Sequence, residues 1–192
     1  MDVLKIKRQI ERNSEDLGLT CFPCATEEEI LDFEKKYQIH LPQDYRIFLK
    51  EVANGIESEE EGLIFYSLEW VEKEMEEGFH NDFPYSTEYV NLILDKFKNR
   101  GDFHFSDILY SEEVFANQWR GMPPGCIILT YFGGDYSVLV VKGEQYGKVW
   151  RYGDVDCPET EALYVGNGHC EQIEFAEWIN FWMEMNGILP QE

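Results

Sequence analysis

The sequence predicts an α+β fold: an N-terminal helical hairpin, a twisted antiparallel β-meander sheet packed by helices, and a C-terminal helix. Three observations point there. Apolar residues recur at helical spacing between Ile30 and Val52, short β-branched runs replace that spacing after Pro124, and helical spacing returns at Phe175. Helices, then a meander, then a helix form a segregated order, not the alternation of βαβ units. The 192 residues suit one domain. Its core is expected over about 26–56 and 121–187, with an insertion over about 57–120.

The first helix of the hairpin begins at Thr26-Glu27-Glu28-Glu29, a capping box: the threonine hydroxyl accepts the Glu29 N–H and the Glu29 side chain reaches back. Those acids also lie at the positive end of the helix dipole. Ile30, Phe33 and Tyr37 then share one face. A second helix is expected from near Pro42, with Tyr45, Phe48, Leu49 and Val52 at i, i+3, i+4 and i+7 and Asn54-Gly55 as its stop. Leu63-Ile64-Phe65-Tyr66 reads as a strand, Trp70 to Glu77 as a short helix ending at Gly78, and Thr87 to Lys98 as a helix closed by Asn99-Arg100-Gly101. Residues 126–131, 136–141 and 148–152 read as three strands. They are joined at Gly133-Gly134-Asp135 and Gly143 to Gly147, short glycine-containing links that mark hairpins. Phe175, Trp178, Ile179 and Trp182 form the apolar face of the closing helix, which stops at Gly187.

Charge narrows the function. There are 38 acids against 16 bases, a formal charge of -22, yet 13 Phe, 11 Tyr and 5 Trp argue for a folded chain, since disordered acidic segments are poor in aromatics. Nucleic acid and anionic membranes are excluded as partners because both need a basic surface. The cluster Lys5, Lys7, Arg8 and Arg12 is offset by Glu11, Glu15 and Asp16. A basic protein partner would be attracted and steered. The most acidic stretch is 57–77, with nine acids and one base, Lys73. Within it Glu57, Glu59, Glu60, Glu61, Glu69, Glu72 and Glu76 are the candidate partner-binding residues. Its plainer reading is a solvated face. Reversing the charge of Glu59, Glu60 and Glu61 together is expected to weaken binding and spare the fold. With no leader-like apolar run at the N-terminus, no spanning segment and five cysteines, a reducing cytoplasm is the expected compartment.

The run Glu29-Ile30-x-x-Phe33-Glu34-x-x-Tyr37-x-Ile39-x-Leu41-Pro42-x-Asp44-Tyr45-x-x-Phe48-Leu49, followed by Asn54-Gly55, resembles the opening motif of the SUKH superfamily. That group unites bacterial toxin-immunity proteins with fungal regulators of cell-wall glucan synthesis. The Gly133-Gly134-Asp135 turn, Val149-Trp150, and Phe175 with Trp178-Ile179 fit the same order. The resemblance implies a single SUKH-like domain and a non-enzymatic immunity protein that binds and neutralises a cognate toxin domain. The acidic composition suits a basic, nuclease-like toxin. A scaffold or regulator in cell-wall synthesis or signalling is the alternative. Phe48, Trp150 and Trp178 match the pattern as core, and it supplies no catalytic, cofactor or metal residue.

Other chemistry is poorly supported. Cys21-Phe22-Pro23-Cys24 precedes the helix start at Thr26, whereas a redox pair places its first thiol at a helix N-terminus. A zinc site with Cys157, His169 or Cys170 lacks the usual ligand spacing. Small buried thiols on the loop leading into the first hairpin helix are the expectation. The 38 carboxylates select no acid–base pair, the histidines His40, His80, His104 and His169 are scattered, and Gly133-Gly134-Asp135 precedes no helix that could cradle phosphate.

Overall fold

Local signals place the first elements of the structure, a computed structural model that describes residues 1–58, 63–74, 79, 81–98, 123–132, 135–154, 161–165 and 172–189. Helix α1 (Val3–Asn13) is capped by Asp2, which accepts the Lys5 N–H, and buries Ile6 and Ile10. Strand β1 (Leu19–Cys21) follows. Helix α2 (Glu27–Tyr37) carries the full capping box at Thr26 and Glu29 and ends with Gln38 in the left-handed conformation. Helix α3 (Gln43–Glu51) starts behind Pro42, which caps it without a side-chain hydrogen bond.

The α2–α3 connection is held by one buried carboxylate. Glu34 accepts the Leu41 N–H at 2.7 Å and pairs with the Arg46 Nη1 at 2.5 Å. Arg46 also pairs with Glu27, which Lys50 joins at 2.7 Å. The guanidinium is held further above its ordinary pKa, first by the Glu34 hydrogen bond.

Strands β2 (Ile56–Ser58) and β3 (Leu63–Phe65), helices α4 (Leu68–Glu74) and α5 (Thr87–Lys98), and strands β4 (Cys126–Phe132), β5 (Asp135–Val140), β6 (Lys148–Asp154), β7 (Glu161–Val165) and β8 (Ile173–Glu174) lead to helix α6 (Phe175–Met185). The sheet order is β1-β2-β3-β4-β5-β6-β7, with β8 on β6. Every pairing is antiparallel. The part of 57–120 that the structure describes thus contributes a strand to the middle of the sheet, through Phe65 opposite Thr130. The stops expected at Gly78 and Gly101 and the turn at Gly133-Gly134 lie outside the described residues.

Side chains alternate between sheet faces, and the contacts identify each face. Phe65 stacks with Phe48 of α3 and with Phe175, Trp178 and Trp182 of α6, at centroid distances of 4.8–6.5 Å. Its row neighbours Ile56 and Thr130 therefore face the helical layer. Asn13 Nδ2 donates to the Ile188 carbonyl at 3.1 Å and ties α1 to the chain beyond α6. On the other face, Trp150 packs against Phe83 and Tyr85 at 5.1 and 5.4 Å, where α5 adds buried Val90 and Leu94.

Candidate functional site

Helix α4 carries Glu69, Glu72 and Glu74, three of the described acids of the 57–77 stretch. Its seven residues make about two turns, so Leu68 and Val71 face inward while two further pairs face outward on opposite flanks. One flank holds Glu69 and Glu72, the other Trp70 and Glu74.

The first flank faces α2 across an open groove lined by Glu29, Asp32, Phe33, Lys36, Asn54, Leu68, Glu69 and Glu72. Four carboxylates thus surround one ammonium. Lys36 bridges the groove to Glu72 at 3.2 Å and lies 4.9 Å from the Tyr37 ring centroid. Its pKa is raised, first by the contact with Tyr37 and then by Glu72. Glu69 pairs with Lys73 of its own helix at 3.0 Å. Glu29 is held below the ordinary carboxylate range, first by the Thr26 backbone N–H and then by the Thr26 hydroxyl. The groove floor is fixed from below: Phe33 packs edge-on to Phe79 at 5.9 Å, and Asn54 Oδ1 accepts the Leu68 N–H at 3.1 Å.

The second flank faces the sheet surface opposite the helical layer. Trp70 meets the Tyr66 ring at 5.5 Å, and Tyr131 on β4 meets Tyr136 on β5 at 4.8 Å. Tyr66 is pushed up to about 12, first by burial and then by Tyr136, Glu74 and Tyr131. Glu57 lies half-buried on this face, since Ile56 and Ser58 on either side of it point into the helical layer.

Of the acids expected to meet a partner, the structure brings Glu69 and Glu72 into the groove and sets Glu57 on the sheet face beyond α4. Glu59, Glu60, Glu61 and Glu76 lie outside the described residues. Sequence reasoning missed Glu29, Asp32 and Lys36, which α2 contributes. Their i, i+3 and i+7 spacing marks one helix face, but nothing local says that α4 packs beside it.

The cysteine expectation needs correcting. Cys21 and Cys24 are exposed, and Cys126 is the buried thiol. The reason is positional: β1 is the terminal strand of the described sheet, so its Thr20 and Cys21 look outward. The Cys21 thiol is nonetheless raised, first by partial burial and then by Cys24 and Glu11, the opposite of what a thiolate nucleophile needs. Cys126 Sγ donates to the Pro123 carbonyl at 3.1 Å and is raised further by complete burial. Cys157, His169 and Cys170 lie outside the described residues. Among the described residues no cluster of three or more His, Cys, Asp or Glu side chains could hold a metal ion, and no helix is long and apolar enough to cross a membrane.

A model of the SMI1 / KNR4 family (SUKH-1) matches residues 24–185. The match runs from just before the capping box to the last residue of α6, so it contains both flanks of α4 and leaves out α1 and β1. No curated protein matches the chain.

Proposed function

The chain belongs to the SMI1 / KNR4 family (SUKH-1), and from that membership and its surface charge we propose that it is a non-enzymatic immunity protein. In this reading it binds a cognate toxin domain, basic and nuclease-like, in the cytoplasm and blocks it. The groove between α2 and α4 carries the reading: four carboxylates face one lysine on a chain of net charge -22. A basic cleft built to hold phosphates would meet a comparable array of negative charge here, which steers association and fixes register. Glu59, Glu60, Glu61 and Glu76 remain candidate contacts of the partner in this proposal.

The test is a pull-down from the native host with the tagged chain, washed across a salt series and read by mass spectrometry. One dominant partner with a toxin-like C-terminal domain, released as salt rises, supports the reading. Co-expression with that partner should then restore growth, and Glu69→Lys with Glu72→Lys should abolish the rescue while leaving the circular dichroism unchanged. A set of wall-synthesis proteins, or no single partner, would overturn it in favour of a regulator.

A further inference from the structure

We propose that the cleft between helix α6 and strands β4 and β5 is a binding site for a neutral phenolic ring, with Thr130 and Ser137 as its hydrogen-bond partners and Trp178 and Trp182 as its walls. The cleft shares no residue with the acidic groove, so the inference holds whatever partner that groove takes.

Helix α6 places Trp178, Phe181, Trp182 and Met185 at i, i+3, i+4 and i+7, one flank of the helix. Trp178 and Trp182 stack with ring centroids 6.3 Å apart, and Phe65 packs against them from the core at 6.1 and 5.6 Å. The walls are thus held in place by the fold itself. Opposite them the sheet supplies Thr130 and Ser137, cross-strand partners in register on β4 and β5. The register shifts between Ile128 and Thr130, a bulge of the kind that re-aims a side chain. These residues line a cleft of about 130 Å³, which Asn186 and Arg151 complete.

Size and polarity select the occupant. A cavity of roughly 150 Å³ holds one benzene ring, so this cleft takes a single ring. A purely apolar ring fits its walls but not its sheet side. Thr130 is 4% exposed, and neither its hydroxyl nor that of Ser137 has a hydrogen-bond partner among the described residues. An apolar ring would strip water from both hydroxyls and return nothing, whereas a phenol O–H both donates and accepts. Charged rings fit less well. Among the described residues no carboxylate lines the cleft to balance a cation, and the field of a chain at -22 repels anions.

The experiment is titration of the isotope-labelled full-length protein with p-cresol, toluene and p-toluate, followed by NMR at the tryptophan indole N–H signals. p-Cresol should move the Trp178 and Trp182 signals and bind at least about fivefold more tightly than toluene, the scale of one net hydrogen bond. p-Toluate should bind more weakly than p-cresol. In Thr130→Val/Ser137→Ala, which keeps the shape and removes both hydroxyls, the preference for p-cresol over toluene should vanish. Ser137→Ala alone, at a half-buried position, should reduce it and serves if the double variant does not fold. Met185→Ala at the exposed rim should weaken p-cresol and toluene alike. N-acetyltyrosinamide separates the two sources of a phenol: binding at the same indoles assigns the site to a tyrosine side chain of a protein, and its exclusion while p-cresol binds assigns it to a free phenol. Toluene binding as tightly as p-cresol, tighter binding of p-toluate, no shift at the two indoles, or a preference that survives loss of both hydroxyls would overturn the inference.

Discussion

Glu34→Ala tests whether the acid in the family motif is architectural. Glu34 is 7% exposed, and its two oxygens are committed to different partners, the Leu41 N–H at 2.7 Å and the Arg46 guanidinium at 2.5 Å. Truncation strands a buried backbone donor, which costs about 1–3 kcal/mol. Arg46 keeps Glu27 as a partner, so its guanidinium is not stranded, and the lost part-buried hydrogen bond to Glu34 adds about 1 kcal/mol. The expected loss is about 2–4 kcal/mol, read from urea unfolding followed by tryptophan fluorescence with the slope unchanged. Glu34→Gln keeps an acceptor for Leu41 and should lose only about 1 kcal/mol. A loss below about 1 kcal/mol in Glu34→Ala would mean that Leu41 is satisfied without Glu34 and that the clamp is not what orders the hairpin.

The backbone, one buried hydroxyl and one capping carboxylate each supply a further test. Gly125 has φ +70°, and a Cβ there would lie 2.4 Å from the Phe83 backbone nitrogen, whereas a Cβ on Gly147 at φ +83° would meet nothing within 4 Å among the described residues. Gly147→Ala should therefore cost only the left-handed strain, about 1–2 kcal/mol, and Gly125→Ala clearly more; equal losses by denaturant titration would contradict the close approach. The Tyr45 hydroxyl is buried without a hydrogen-bond partner among the described residues, so Tyr45→Phe should leave stability unchanged or raise it by up to about 1 kcal/mol, and a loss of that size would disprove the orphaned hydroxyl. Because the Glu29 carboxyl is lowered in the fold, its capping contribution is present above the unfolded value of 4.5 and lost as pH falls through the folded one. The gap in urea midpoint between wild type and Glu29→Ala should therefore narrow below pH 4.5, and a gap that widened on acidification would reverse the sign.

What could be read from the sequence was what is local. The capping box at Thr26 and the helix Thr87–Lys98 appear as expected, because capping and helical periodicity are set within a few residues. The three meander strands appear within one or two residues of expectation. The N-terminal segment was legible but unread: Val3, Ile6 and Ile10 follow helical spacing, and the charges between them hid it. Strands β1, β2 and β8 have three, three and two residues, too few to show a period, and exist because a neighbouring strand pairs with them. The groove was half legible for the same reason. Its α4 acids stand out in composition, while its α2 side is defined only by the packing of two helices distant in sequence.

Charge carries the last step of the argument, because it acts on the free protein and on the complex with opposite signs. Several basic groups are already paired with acids of the chain itself: Arg46 and Lys50 with Glu27, Lys36 with Glu72, Lys73 with Glu69, Lys148 with Glu174. These pairs are short-range and exposed, so each contributes little. The excess of acids remains, and at -22 its mutual repulsion disfavours the compact state. Added salt shortens the Debye length to about 10 Å at 0.1 M and relieves that repulsion, so the urea midpoint of the free protein should rise with salt. The same screening weakens a charge-matched complex, so its affinity should fall over the same range. A partner held mainly by apolar contacts would leave the second slope flat. A falling midpoint would show that the internal pairs outweigh the repulsion, and the acidic surface would then be there for the fold rather than for a partner.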